Sequence, residues 1–161
     1  MPTNVVLDSK LPEEAAGKTV IVTGGANGIG AATISRYNSH GANVVIADLP
    51  SARASAETLM KSLPHPERAI FVPVDILNWE QMKDLFRTAS IRFGRIDIVV
   101  ANAAIMETSP VLDLNAIDSN GDLLESREAF KVIDVNIKGT LNSKFTRQSF
   151  FLVRATQNCG C

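Results

Sequence analysis

The run Thr19-Val20-Ile21-Val22-Thr23-Gly24-Gly25-Ala26-Asn27-Gly28-Ile29-Gly30 constrains the fold more than any other stretch of the chain. Val20-Ile21-Val22 is short, apolar and β-branched, which suits a buried central strand. Gly24, Gly28 and Gly30 remove side chains where the backbone must turn sharply and approach a ligand. A helix that starts at Gly28 points free N–H groups and the positive end of its dipole out of the turn, a setting suited to a phosphate. The same glycines also fit a tight strand-to-helix turn that binds nothing.

The next apolar strand, Asn43-Val44-Val45-Ile46-Ala47, narrows that choice. It ends in Asp48, 18 residues after Gly30. An acid about 20 residues past such glycines can accept both ribose hydroxyls of an adenosine. It would also repel a 2′-phosphate, which favours NAD over NADP. On its own, Asp48 would read equally as a turn or helix-cap residue.

Composition bounds the rest. The chain has 161 residues, enough for one domain with a real core. It is 45% hydrophobic and 20% charged, as in soluble globular proteins. A net charge of −1 gives no electrostatic support for nucleic acid or an anionic membrane as a partner. No apolar run has the length of a membrane span. Residues 1–17 carry acids and no apolar core of a secretory signal, so they read as a leader ahead of a domain at 18–161. The only cysteines, Cys159 and Cys161, exclude a disulfide framework and favour a cytoplasmic setting. No further ligand cluster joins them, so no metal site is expected.

Strand and helix patterns alternate along the chain. A helix over about Gly28–His40 stops at Gly41. Ser51 is placed to cap the next helix, with Ala52, Ala56, Leu59 and Leu63 on one face, and Pro64 and Pro66 end it. Ala69–Val74 reads as a third strand, and its Pro73 suits a sheet edge. Asn78 with Gln81 three residues on resembles a capping box. Met82, Leu85, Phe86, Ala89 and Phe93 form a core-facing stripe ended by Gly94; Trp79 and Tyr37 read as packing residues. Ile96–Ala101 is the fourth strand. The loop from Ile105 to Glu125 is long for a compact domain, which makes it a binding loop or a disordered one. A last helix starts near Ser126, with Phe130, Ile133, Ile137, Leu141 and Phe145 as its apolar face. This alternation demands a parallel α/β sheet with right-handed crossovers, covered on both faces.

Thr23-Gly24-Gly25-Ala26-Asn27-Gly28-Ile29-Gly30 resembles the TGxxxGxG motif of the short-chain dehydrogenase/reductase family, and the resemblance continues to about Asn136. It implies a Rossmann-like, doubly wound sheet of strand order 3-2-1-4, with the third strand outermost, truncated after about four strands. It implies cofactor contacts from Thr23, Gly24, Asn27, Gly28, Ile29 and Gly30, and from Asp48 with Leu49. Asp75 and Ile76 would meet the adenine ring. Asn102, Ala103 and Ala104 stand where the family has NNAG, with Ala101 and Ala104 replacing an Asn and a Gly. Asn102 alone would also fit a strand-end turn.

Asn136 resembles the catalytic Asn of the family, which shapes its helix and holds a water in a proton relay. A solvated helix face is the plainer reading of the same residue. The family also uses a Tyr as general acid/base, a Lys four residues later and a Ser. A phenol with a pKa of about 10 needs a neighbouring cation to work at neutral pH. The one tyrosine, Tyr37, is followed four residues on by Gly41. Ser143 and Ser149 follow Asn136 too closely to be the family's Ser. The catalytic half is therefore expected to be absent, and the fourth strand to be left as an apolar edge. Three functions fit these residues. One is an NAD-dependent oxidoreductase that interconverts an alcohol and a carbonyl, with a small-molecule substrate in a full-length form and homo-oligomers as in the family. The others are a non-catalytic NAD-binding module and a truncated gene product.

Overall fold

The computed structural model describes residues 14–108, 110, 113–144 and 146. Most of the expected leader, Phe145, Ser149, Cys159 and Cys161 lie outside the described residues. Among the described residues four strands form one parallel sheet: β1 (Thr19–Thr23), β2 (Asn43–Asp48), β3 (Ala69–Pro73) and β4 (Ile98–Ala101), in the order β3-β2-β1-β4. Register runs Val20↔Val44 and Val22↔Ile46 on one side of β1, and Val20↔Ile98 and Val22↔Val100 on the other. Among the described residues β3 and β4 are the edges, as the proline in β3 and the expected strand order require.

Alternation along the central strands divides the core into two layers. Val20, Val22, Val44 and Ile46 meet Ile34 of α1 (Gly28–Ser39) and Ala56 of α2 (Arg53–Ser62) on one face. Ile21, Val45 and Ala47 meet Met82, Leu85, Phe86 and Ala89 of α3 (Trp79–Phe93) on the other. Each fully buried Val, Leu or Ile in such a sandwich contributes about 1.5–3 kcal/mol over its exposed state. β1 is buried at all five positions, so it is the strand that both layers share.

Several local expectations need correction. Ser51 caps nothing: Pro50 starts a short 3₁₀ turn, Pro50–Ala52, and α2 then begins behind Ala52 without a side-chain cap. Proline preorganises the first residue of such a turn, which puts Ser51 inside it. Asn78 does accept from the Gln81 N–H at 3.1 Å, but Gln81 Oε1 accepts from the Asp75 N–H at 2.7 Å instead of returning to Asn78. Trp79, at the first position of α3, is 41% exposed and is not a core residue.

The last helix departs most. α4 (Arg127–Ile133), with Ser126 as its cap, continues through a wider π-helical stretch, Asp134–Gly139. Its apolar stripe faces outward: Phe130, Ile133, Ile137 and Leu141 are 43–55% exposed. The inward side is small and polar. Gly139 lies so close to Ile76 that any Cβ there would overlap the isoleucine side chain. Ser143 and Thr146 are buried, and each hydroxyl is satisfied by donating to a carbonyl one turn back, at Gly139 and Asn142. Asn142 donates to the Ile76 carbonyl at 2.8 Å.

One fully buried polar side chain ties the α1 layer to the loop after α2. Asn38 Oδ1 accepts from the His65 N–H at 2.9 Å and its Nδ2 donates to the His65 carbonyl at 2.9 Å. Asn38→Leu leaves both His65 groups without these partners, and we expect a loss of about 1–3 kcal/mol in urea unfolding. The exposed Ile91→Ala serves as control and should change stability by less than about 0.5 kcal/mol. Equal stability of the two variants would refute the role of Asn38.

Candidate functional site

The site forms where β1 ends. The Gly24 and Gly25 N–H groups both donate to the Ala47 carbonyl, at 2.8 and 3.3 Å, so the turn is pinned to the end of β2. Ala26 N–H donates to Asp48 Oδ2 at 3.0 Å, and Leu49 N–H donates to Asp48 Oδ1 at 2.8 Å. On the other side Thr23 Oγ1, buried, accepts from the N–H groups of Asn102 and Ala103, each at 3.1 Å. Asn102 Nδ2 donates to the carbonyls of Thr23 and Gly24, at 3.1 and 3.2 Å. Strand ends β2, β1 and β4 are thus laced together through one glycine turn.

The glycines do different work there. A Cβ on Gly30 would overlap the Gly24 carbonyl, and one on Gly24 would come within 2.9 Å of Ala103 Cα. Those two permit close approach within the protein. Gly28 has a φ of 54°, left-handed, and a Cβ there would meet nothing within 4 Å. It faces open space. Asn27, Gly28 and Ile29 form the exposed tip, with Ile29 80% exposed. The first N–H groups of α1 have no intrahelical acceptor, and Asn27 makes no side-chain cap bond to take one. Those donors suit a pyrophosphate, and Asp48, beside them, keeps lone pairs for hydroxyls. The residues present therefore fit a dinucleotide.

The flanking candidates lie around this turn. Leu49 is half-exposed at the end of β2. Val74 N–H donates to the Asp48 carbonyl at 2.8 Å, which brings the β3 end and the following Asp75 and Ile76 alongside. Asp75 Oδ1 accepts from Leu77 N–H at 2.9 Å, and Ile76 is buried under Gly139. Ala103 is partly buried against the α3 layer, while Ala104 is exposed.

Asn136 sits in the π-helical stretch and does not merely face water. Its Oδ1 accepts from Ile105 N–H at 2.8 Å and its Nδ2 donates to the Ile105 carbonyl at 2.9 Å. A second tie lies two turns up α4: Glu128 Oε1 accepts from the N–H and the hydroxyl of Thr108, at 2.8 and 2.9 Å. The segment after β4 is therefore held alongside α4 at both ends. Sequence reading did not find Glu128, because a carboxylate in the first turn of a helix reads simply as favourable to the dipole. Residues 117–123 form a turn of their own. Ile117 and Leu123 pair as an antiparallel bridge around a turn in which Asp118 Oδ1 accepts from the N–H groups of Asn120 and Asp122. Tyr37 packs against the α1 layer, as expected. Among the described residues no group of three or more metal-ligating acids, His or Cys occurs, and no helix is long and apolar enough to cross a membrane.

This architecture agrees with known proteins. The family model for short chain dehydrogenases matches residues 18–146, and the chain belongs to that family of oxidoreductases. It is 39% identical over 126 residues to the short-chain dehydrogenase/reductase ascJ of Acremonium egyptiacum, covering 77% of this chain and 38% of that protein. It is 36% identical over 123 residues to 3-hydroxyacyl-CoA dehydrogenase type-2 of Drosophila melanogaster, covering 76% and 45%. Among solved structures, a 3-ketoacyl-(acyl-carrier-protein) reductase from Brucella melitensis, complexed with NADH, superposes with a TM-score of 0.66 at 28% identity. That match covers 83% of this chain and 49% of the reductase. The chain thus spans between a third and a half of the length of these relatives.

The geometry can be tested at two places. Gly30→Ala should disrupt the turn, lowering the unfolding midpoint well below that of Gly28→Ala. The latter has room for its methyl and bears only the left-handed backbone cost of about 1–2 kcal/mol. Equal midpoints would contradict the assignment of Gly30 to close packing. The second prediction concerns pH. The Thr108 N–H, then its hydroxyl, hold the Glu128 carboxyl below its ordinary value of 4.5. A lowered value means that the tie is complete above 4.5 and is lost as pH falls through the lowered value. Thr108 amide protection should fall on acidification in the wild type and show no such step in Glu128→Gln. A wild-type amide indifferent to pH would refute the tie.

Proposed function

We propose that these residues bind NAD in preference to NADP, as the dinucleotide-binding part of a short-chain dehydrogenase that interconverts an alcohol and a carbonyl. The observation that carries the reading is the Asp48 carboxylate standing at the end of β2 beside the glycine turn, 3.0 Å from the Ala26 N–H. A carboxylate there accepts from ribose hydroxyls and repels a phosphate on the same ribose. The Brucella melitensis reductase is complexed with NADH in its crystal structure, which supports a nicotinamide cofactor for this chain as well.

When bound, the nicotinamide ring supplies or accepts the hydride. The chain's own part is to bind and orient. The α1 N-terminus takes the pyrophosphate, Asp48 with Leu49 takes the adenosine ribose, and Asp75 with Ile76 borders the adenine. Thr23, Asn102, Ala103 and Ala104 set the turn between β1 and β4. Asn136 fixes the helix against Ile105, and in the full active site it would hold a water for proton transfer. These residues include one tyrosine, Tyr37, and it packs against the core. The phenol that the family's proton transfer requires is thus not among them, which favours binding without turnover by these residues alone. The small-molecule substrate, a homo-oligomeric state and a cytoplasmic setting are part of the same proposal.

The test is thermal unfolding of this chain with each dinucleotide. NAD at a hundredfold excess over its Kd should add about 2.7 kcal/mol of stability, and NADP at the same concentration should add clearly less. Equal stabilisation by NADP would refute the role given to Asp48. Steady NADH oxidation with a carbonyl would overturn the reading of binding without turnover.

A further inference from the structure

We propose that Asp48 also anchors the glycine turn, as a positioning residue for the phosphate-binding end of α1, whether or not a ligand is present. The consequence for ligand binding rests on the cofactor reading above; the anchoring itself rests on geometry alone.

Three consecutive N–H groups of the turn point at the end of β2. Those of Gly24 and Gly25 share the Ala47 carbonyl, and that of Ala26 reaches Asp48 Oδ2. Ala26 is 4% exposed and its side chain lies in the core layer with Val22 and Ile34. It cannot turn its N–H toward water without opening that layer. A buried N–H that loses its acceptor is costly. Beyond Ala26 the backbone is extended at Asn27, with φ −140° and ψ 165°, and left-handed at Gly28. Ala26 is therefore the last fixed point before the exposed tip.

The other carboxylate oxygen accepts from Leu49 N–H, so the carboxylate is held at both oxygens by backbone. A carboxylate offers about four acceptor positions, and two remain for hydroxyls. One side chain then couples two halves of the site: the ribose end through its open lone pairs and the pyrophosphate end through Ala26. Removing Asp48 to admit a 2′-phosphate would also release the turn that holds the pyrophosphate.

The test is amide hydrogen exchange at Ala26 and Leu49 in the ligand-free chain, comparing wild type, Asp48→Ala and Asp48→Asn. Binding of NAD, and of its analogue without the two adenosine-ribose hydroxyls, is measured on the same proteins. In Asp48→Ala, exchange at Ala26 should quicken by about tenfold or more, and the analogue as well as NAD should bind more weakly. A role limited to the hydroxyls would leave the analogue's affinity unchanged, and that result overturns the proposal. Should Asp48→Ala lose protection throughout β1 and β2, Asp48→Asn decides. Its carboxamide keeps one acceptor for two N–H groups, so Ala26 or Leu49 should lose protection while Ile21 and Val45 keep theirs. Full protection at both overturns the anchoring. If Ala26 responds as expected and no variant or wild type binds either dinucleotide, the anchoring stands and the cofactor reading falls.

Discussion

The structure depends on how β1 ends. A strand buried at every position can deliver a ligand site only if its last residues leave the sheet without orphaning backbone groups in the core. Here Thr23 and Asn102 satisfy the β4 side, and Ala47 with Asp48 satisfies the β2 side. The close approach this demands excludes side chains at Gly24 and Gly30. What is left uncommitted is the tip, Asn27 to Ile29, and the first donors of α1. The donors left free when the turn has met its own needs are those proposed to take the pyrophosphate.

Around that turn the fold is a support. The two core layers hold β1 and β2 in register, so that the Asp48 carboxylate and the Ala26 N–H arrive at hydrogen-bond distance from opposite elements. Side-chain ties then extend the frame outward, from Asn136 and Glu128 to the segment after β4 and from Asn142 to Ile76. Amide side chains that bond backbone at both ends, as the buried Asn38 and the partly buried Asn136 do, fix position more sharply than apolar contact can.

Much of this is legible in the sequence because it rests on short-range rules. The β-branched run at Val20–Val22, the glycine spacing, and the apolar stripe from Met82 to Ala89 each encode one element, and the alternation encodes the parallel order. Asp48 is legible because its distance from Gly30 follows from one βαβ unit. What is not legible depends on partners distant in the chain. The stripe Phe130, Ile133, Ile137, Leu141 is legible as an apolar face, but which side of the helix packs is not, and that side carries Gly139, Ser143 and Thr146. That side brings Gly139 so close to Ile76 that no Cβ fits between them, a non-local contact that no helical periodicity contains. The π-helical stretch at Asn136 and the Glu128–Thr108 tie are equally non-local. Ser51 failed as a cap for a local reason, since Pro50 had already started a turn.

The proposed dinucleotide cradle is preformed, with its donors at the start of α1. The most direct measurement is the change in backbone amide resonances of the chain on adding NAD. A preformed cradle predicts large shifts at Asn27, Gly28, Ile29 and Gly30, shifts at Asp48 and Leu49, and small ones at Gly24 and Gly25, whose N–H groups are already bonded. Shifts confined to the loop between β4 and α4, or none at saturating NAD, would contradict it.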